Sequence, residues 1–265
     1  MFSENSIKIF YNKYVLTPKS YKKRVRKLNT KISKDLKTFL HKYSYNNFLK
    51  LSIYEYAFEQ GNRNTFCYWM DNTLNKYGDL HINHVGGYTK FHIQFKKGSN
   101  KPIIFKNNQH HTRLGDNAND IYKKIQKEIP ALIKAAKNKQ YDVLEKSLIY
   151  RPFACKIYYV YNINASIPIY VDNDVTKILE ILQINYPQTA SFHDKRKILF
   201  EYYKEINALL GISTRDFMDF LYAEEGFRDL LRESKTAQTF ATYEDNDPFL
   251  KLIGDKAEKI VADYF

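Results

Sequence analysis

The chain has 265 residues, of which 44% are hydrophobic, so a substantial core can form and disorder is not the default. An excess of Lys and Arg over Asp and Glu, 42 against 29, gives a formal net charge of +13, which favours polyanionic partners, nucleic acid first. Two cysteines are too few for a disulfide scaffold or a thiolate zinc site, and neither an export signal nor a membrane-spanning apolar run is found. We therefore expect a cytoplasmic protein without a membrane partner.

The positive charge is concentrated in residues 1–60, which contain 13 Lys and Arg and four Asp and Glu. From Tyr21 to Tyr43, apolar residues recur every three or four positions, the period of one helical face. We predict an amphipathic helix with a cationic outer face. Its proposed phosphate contacts are Lys22, Lys23, Arg26 and Lys27. A merely solvated face, or one that lies on an anionic membrane, is the alternative.

Two short helices are predicted next from their capping residues. Ser52 and Glu55 form a capping-box pattern for a helix that ends near Gly61. Thr65 can cap a second helix, whose apolar positions include Trp69 and which Gly78 ends. We expect its aromatic side chains to pack mainly in the core.

Between Tyr88 and Lys96, polar and apolar residues alternate with a period of two. This pattern is typical of a strand with one solvent-exposed face and one packed face. Gly86-Gly87 favours a tight hairpin turn back to a strand at 80–85, and a third strand is predicted at 102–105. No Asp or Glu occurs from residue 80 to residue 115, as a phosphate-tracking element requires. We predict DNA base contacts from Tyr88, Lys90, His92 and Gln94, and further phosphate contacts from Lys96, Lys97 and Lys101.

The rest of the chain is predicted to be mostly helical. A helix runs from Ile121 to Ala136, with Pro130 expected to kink or divide it. Strands are predicted at 153–161 and 167–171, helices at 175–182, 195–210 and 213–222, a linker at 234–247 and a last helix from 248 onward.

These elements predict an α+β fold, with a mixed sheet built around the basic hairpin and the 153–171 strands, and helical parts before and after it. We divide the chain into a basic helical part (1–62), an α+β recognition core (63–172), a helical part (173–233) and a linker with a terminal helix (234–265).

The sequence contains no convincing catalytic motif. His81 and His84 would lie on opposite faces of a strand, and His110 and His111 have the same problem, so we predict no metal site. Phosphate-binding loops and the common hydrolase, metalloprotease and dinucleotide motifs are absent. Cys67 is expected to be a buried, inert thiol. A metal-dependent nuclease that uses His110 or His111 with Asn107 is kept as an alternative.

The stretch Thr65-Phe66-Cys67-Tyr68-Trp69-Met70-Asp71, with Gly78, Gly86-Gly87 and Lys90-Phe91-His92-Ile93, resembles the "TFTYWLE … LG.I.GG…KFGI" pattern of N-terminal regions of McrB-like restriction proteins. Residues 51–56 resemble that family's "TLEEY", and the similarity covers roughly residues 45–200. Met70 and Asp71 replace the usual Leu-Glu, and His92 stands where Gly is common. Residues 252–265 are similar to the helix that opens PD-(D/E)xK nuclease modules, with Glu258 at its acidic position.

The resemblance implies the DNA-recognition part of a restriction or phage-defence system that binds a particular, in some cases modified, DNA site. An AAA+ GTPase or ATPase motor and a nuclease would act as partners, and Mg²⁺ would be needed only by a nuclease module that follows. A flipped-out base would stack on Tyr88, Tyr68 or Trp69, in that order. The alternatives are a nuclease in its own right and a basic subunit that binds an acidic protein.

Overall fold

The computed structural model describes residues 2–59, 61–78, 89–99, 101–104, 114–224 and 226–232, apart from the side chains of residues 25–33 and Thr89. The chain forms two compact units, Met1–Asp219 and Phe220–Phe265. In the second unit, the rings of Phe220 and Phe227 pack edge to face with centroids 5.8 Å apart. The predicted boundaries at 62, 172 and 233 remain predictions. The predicted linker and terminal helix lie outside the described residues.

Four helices form the beginning of the first unit: α1 (Glu4–Val15), α2 (Lys19–Lys42), α3 (Tyr45–Phe48) and α4 (Ile53–Tyr56). The predicted basic helix is confirmed as α2, with Tyr21, Leu36 and Phe39 on its buried face. The capping box of α4 is also confirmed, because the Ser52 hydroxyl accepts from Glu55 N and the Glu55 carboxylate accepts from Ser52 N. However, α4 ends at Tyr56 rather than near Gly61.

A three-stranded mixed sheet follows. It consists of β1 (Phe58–Glu59), β2 (Ile93–Phe95) and β3 (Pro102–Ile104), in that order. β1 pairs in parallel with β2, with Glu59 opposite Phe95, and β2 pairs antiparallel with β3. A mixed α+β fold is therefore present, but the predicted strand at 88–96 is reduced to three residues. Its predicted partner at 80–85 lies outside the described residues.

Between β1 and β2 the chain turns through α5 (Phe66–Tyr68), a π-helical segment (Trp69–Thr73) and 3₁₀ turns at Asn75–Tyr77 and Thr89–Phe91. The predicted Thr65 cap is confirmed, since its hydroxyl accepts from Tyr68 N at 3.2 Å. Gly78 has a φ of +94°, and an added Cβ would lie 2.4 Å from Pro168 O. Only glycine fits there, which explains why the helical segment stops.

Helices make up most of the described residues from 114 to 232. Their bounds are α6 (Ala118–Lys137), α7 (Val143–Lys146), α8 (Arg151–Tyr161), α9 (Asp172–Ile181), α10 (Phe192–Leu210) and α11 (Thr214–Leu221). The predicted helix around residues 121–136 is confirmed as α6, and it continues through Pro130 without being divided.

The strand prediction for residues 153–161 is wrong, because this segment is helix α8. Every residue from Phe153 to Val160 is buried, so both faces of α8 are covered and no helical period shows in the sequence. Pro152 at the start of the helix is the local signal that favours a helix. Residues 167–171 also form no strand, and the Tyr170 hydroxyl in this segment instead donates to Tyr77 O at 2.5 Å.

The core is rich in aromatic contacts that join α2 to the rest of the unit. The Phe66 ring lies 5.5 Å from Phe39 and 5.2 Å from Tyr43, while Phe153 of α8 packs edge-on against Phe91 at 5.0 Å. These contacts fix one face of α2 against the core. In the parts of the chain that the structure describes, no helix is both long and apolar enough to cross a bilayer.

Candidate nucleic-acid interface

The outer face of α2 carries a row of cations that faces solvent. Lys23, Lys34, Lys37 and Lys42 are exposed, whereas the buried positions of the helix lie on its opposite side. With 24 residues, α2 is about 36 Å long, which is about the length of one helical turn of duplex DNA. Arg26 and Lys27 belong to this helix, but their side chains lie outside the described set.

At its C-terminal end the row meets a loop that carries further cations. The Lys42 ammonium donates to Asn64 O at 2.8 Å, next to exposed Arg63. On the other side of this loop, the Lys97 Cδ lies 4.0 Å from the position of a Cβ on Gly61. Lys96 and Lys101 are also exposed. We call Lys23, Lys34, Lys37, Lys42, Arg63, Lys96 and Lys97 the basic track.

The predicted phosphate contacts fall into two groups, which lie near opposite ends of α2. Lys22 and Lys23 lie at the start of α2, and Lys42 lies at its end, about 29 Å away along the helix axis. Lys96, Lys97 and Lys101 belong to the Lys42 end. Among the described side chains of α2, Lys34 and Lys37 lie between the two groups.

The pKa values of two residues near the C-terminal end of α2 are shifted by their surroundings. Partial burial lowers the pKa of Lys42, and the Glu55 carboxylate opposes that change. Glu55 itself accepts hydrogen bonds from Ser52, which hold its pKa below the usual range. Glu55 is thus an anion close to Lys42 of the basic track.

The prediction that Lys90 and His92 face solvent is wrong. Lys90 is 6% exposed and forms an ion pair with Asp71, and its ammonium lies 5.1 Å from the Phe91 ring centroid. His92 is fully buried, and its Nε2 accepts from Tyr150 N at 3.3 Å. Gln94 is half-buried, while Phe91, Ile93 and Phe95 are packed inside as expected.

The backbone at His92 explains why the predicted alternation fails. Residues 89–91 form a 3₁₀ turn, and His92 has a φ of +68°, in the left-handed region that favours glycine. Side chains alternate between two faces only in an extended strand. Lys90 and His92 therefore point into the protein together with their apolar neighbours.

The aromatic residues considered for base stacking are mostly packed. Tyr68 is half-buried and stacks on Phe58 with centroids 6.2 Å apart. Trp69 is also half-buried, with its ring 6.1 Å from Phe39 of α2, and its buried indole N–H has no hydrogen-bond partner among the described residues. Tyr88 lies outside the described residues.

A second row of exposed lysines occurs on α6, and the sequence analysis did not assign it a role. Its members are Lys123, Lys127, Lys134 and Lys137. Successive members are four, seven and three positions apart, which is the spacing of residues on one helical face. This pattern, also used to predict α2, could have identified them from the sequence. Lys123 lies 3.9 Å from Asp120, and Lys134 and Lys137 lie in the last turn, where cations stabilise a helix. Helix stability alone thus accounts for much of this row.

The described residues contain no group of three or more His, Cys, Asp or Glu side chains placed to hold a metal ion. His81, His84, Asn107, His110 and His111 lie outside those residues. Cys67 is fully buried, and burial raises its pKa well above the usual value, which agrees with the predicted inert thiol.

The chain matches no protein-family model, no curated protein and no solved structure. Its function has to be argued from the geometry of the site. The basic track is the feature on which we base that argument.

Proposed function

We propose that the protein is a DNA-binding module that holds the phosphate backbone along the basic track. The exposed cations on the outer face of α2 carry the proposal. Lys23, Lys34 and Lys37 have solvent-facing side chains, and no described carboxylate lies within ion-pair distance of them. Unpaired cations in a row can each contact a phosphate and release counterions.

Folding does not explain the cations at the start of α2. Lys19, Lys22 and Lys23 lie in its first two turns, where the helix dipole disfavours positive charge. The first turn contains no acidic residue, and the N-cap, Pro18, offers no side-chain hydrogen bond. The helix dipole predicts that Lys19, in the first turn, reduces the stability of the helix, in contrast to the last-turn lysines of α6. A binding role gives a reason for the presence of the cations at the start of α2.

The resemblance to McrB-like recognition regions extends the proposal to a particular DNA site, including one with a modified base. The left-handed φ of His92 supports it, because the family pattern has glycine at this position. Catalysis would then belong to a motor or nuclease partner. Lys90 and His92 are left out of the proposed contact surface because they are buried.

A charge-matched pair of variants tests the proposal. In the first variant, Lys34→Gln is combined with Lys37→Gln on α2, and in the control, Lys123→Gln is combined with Lys127→Gln on α6. Affinity for a labelled duplex of about 20 base pairs is measured by fluorescence anisotropy from about 50 to 300 mM salt. We expect the α2 variant to bind roughly tenfold more weakly and to reduce the slope of log affinity against log salt by about 2, since two phosphate contacts are lost.

The α6 variant removes the same charge from another long helix, so it is expected to bind nearly as the wild type does. Equal losses in the two variants would show that overall charge, rather than the basic track, determines binding. A wild-type affinity that does not change with salt would remove the phosphate contacts altogether.

A further inference from the structure

The bend between α1 and α2 leaves large apolar side chains exposed to solvent. Leu16 is 84% exposed and Val15 is 48% exposed. Tyr11, one turn before Val15 on the same face of α1, is 40% exposed. Leu209, near the end of α10, is 58% exposed. Exposed apolar side chains that share one surface mark interaction sites more often than single ones do.

A pocket of about 290 Å³ lies next to these side chains: Val15 lines it, and Leu16 and Leu209 are the chain neighbours of its lining residues Val15 and Leu210. Tyr14, Val15 and Tyr21 line it from the bend, and Leu210 and Ile212 line it from the turn between α10 and α11. Gly211 lies between the last two, with a φ of +62° and no atom within 4 Å of the position of a Cβ. The pocket is at the lower end of the size range for ligand sites, which suits a single anchoring side chain.

The charge around the pocket is mainly positive. Lys19 and Lys23 are exposed at the start of α2, and the Lys22 ammonium lies 4.8 Å from the centroid of the Tyr14 ring that lines the pocket. Asp216 is the acid that lines the pocket, and its carboxylate accepts from Ser213 N at 3.0 Å and from Ser213 Oγ at 2.7 Å. Because Asp216 caps α11, it is already engaged, and the lysines leave a net positive rim.

We propose that this bend is a docking surface for an acidic segment of a partner protein. The surface comprises Tyr11, Val15, Leu16 and Leu209, with the pocket and its lysine rim. One large apolar side chain of the partner enters the pocket, and neighbouring Asp or Glu residues lie beside Lys19, Lys22 and Lys23. Charge complementarity identifies the partner, since an acidic segment gains attraction from a rim that would repel a basic one.

The pocket also distinguishes a peptide from a lipid surface. Proteins that lie on anionic membranes insert protruding apolar side chains between lipids. A concave pocket receives a side chain instead, as in grooves that bind the apolar anchors of a peptide. We therefore assign the surface to a peptide segment, with membrane binding as an outcome that the experiment can detect.

Selection from a phage-displayed library of random peptides, each about 12 residues long, on the full chain tests the proposal. We expect enriched peptides that combine Asp or Glu with Phe, Leu or Trp. The resynthesised peptides are then measured by fluorescence polarisation against wild type and against Leu16→Ser combined with Leu209→Ser. Both leucines are exposed, so the fold is retained, and affinity is expected to fall at least roughly tenfold because the apolar contact area is lost.

The control is Leu49→Ser combined with Tyr54→Ser, which alters two exposed apolar residues elsewhere, 47% and 53% exposed. It is expected to bind the peptides as wild type does. Neutral or basic consensus peptides, or binding that survives the Leu16 and Leu209 changes, would overturn the proposal. Binding to phosphatidylserine vesicles that those changes abolish, with no peptide binding, would overturn it as well. The serine changes keep the net charge, so duplex DNA binding is expected to persist in the same variant.

Discussion

His92 shows how one residue can contradict a pattern that its neighbours support. Its φ of +68° is costly for a side chain with a Cβ, yet the imidazole is fully buried and accepts a hydrogen bond from Tyr150 N. Packing and hydrogen bonding of the imidazole offset the backbone strain. Replacing the side chain can separate the two contributions.

We expect His92→Ala to destabilise the protein more than His92→Gly does. Both variants lose the imidazole, but only alanine keeps a Cβ in the left-handed region, which costs about 1 kcal/mol relative to glycine. The measurement is the free energy of unfolding in urea. Asn207, an exposed residue of α10, provides the control with the opposite order, since Asn207→Ala should leave the protein more stable than Asn207→Gly. If alanine were also the more stable replacement at His92, its left-handed backbone would not be present in solution.

Local hydrogen bonding made other residues predictable from sequence. The caps at Ser52 and Thr65 depend on atoms within three residues, so a short pattern identified them. The burial of Lys90 depends on Asp71, 19 positions away, and on a turn that the alternating pattern conceals. No local signal revealed that ion pair.

Helices α2 and α8 show the same contrast at the scale of elements. One face of α2 is exposed to solvent, so the helical period of its apolar residues is visible in the sequence. Both the type and the bounds of this element were therefore predicted closely. Both faces of α8 are packed, so its apolar run fits a buried strand equally well. Exposure of one face, more than length, determined which helices could be recognised.

The charge pattern of α2 predicts a conflict between stability and binding. We expect Lys19→Glu to stabilise the protein by about 0.5–1 kcal/mol, because it replaces an unfavourable cation in the first turn with a favourable anion. The same change should weaken DNA binding by removing a cation. Unfolding in urea and fluorescence anisotropy with duplex DNA measure the two effects.

Lys37→Glu is the control for Lys19→Glu, since it makes the same charge change on the exposed face of α2, away from its first turn. It should weaken DNA binding without the gain in stability, because a favourable dipole effect of an anion is confined to the N-terminal end of a helix. A similar stability change in both variants would point to general charge repulsion instead of the dipole.

At the scale of the whole molecule, the sequence predicted a mixed fold and a basic surface but not how the basic residues are distributed. The predicted hairpin partner at 80–85 lies outside the described residues, and the parallel pairing of β2 with β1, which is only two residues long, was not predicted. A strand so short leaves no periodic signal. The position of Lys97 beside Gly61 follows from that pairing, and so does the path of the basic track.

Two groups, buried His193 and partly buried Asp219, should give the stability of the first unit opposing dependences on pH. Burial, together with Arg196 and Arg151, lowers the pKa of His193 from 6.5 to about 4. The unfolded chain binds this proton first, so stability is lost as pH falls from about 6.5 towards 4. Burial raises the pKa of Asp219 from 3.8 to about 6, against the effect of Arg215. The folded chain keeps that proton longer, so stability is lost as pH rises from about 4 to 6.

Substitution of either group should therefore change how the free energy of unfolding depends on pH, and the two substitutions should act in opposite directions. Between about pH 4 and 6, the slope of the free energy of unfolding against pH should become less positive in His193→Gln and more positive in Asp219→Asn. Each slope should change by up to about 1 kcal/mol per pH unit. Urea unfolding at half-unit steps from about pH 4 to 7 measures both slopes. The two groups carry opposite charges when ionised, so their pKa shifts should change the two slopes in opposite directions. A general effect of mutation on stability would instead change both profiles in the same direction. Opposite changes of slope require that His193 be kept neutral and Asp219 be kept protonated by the folded structure.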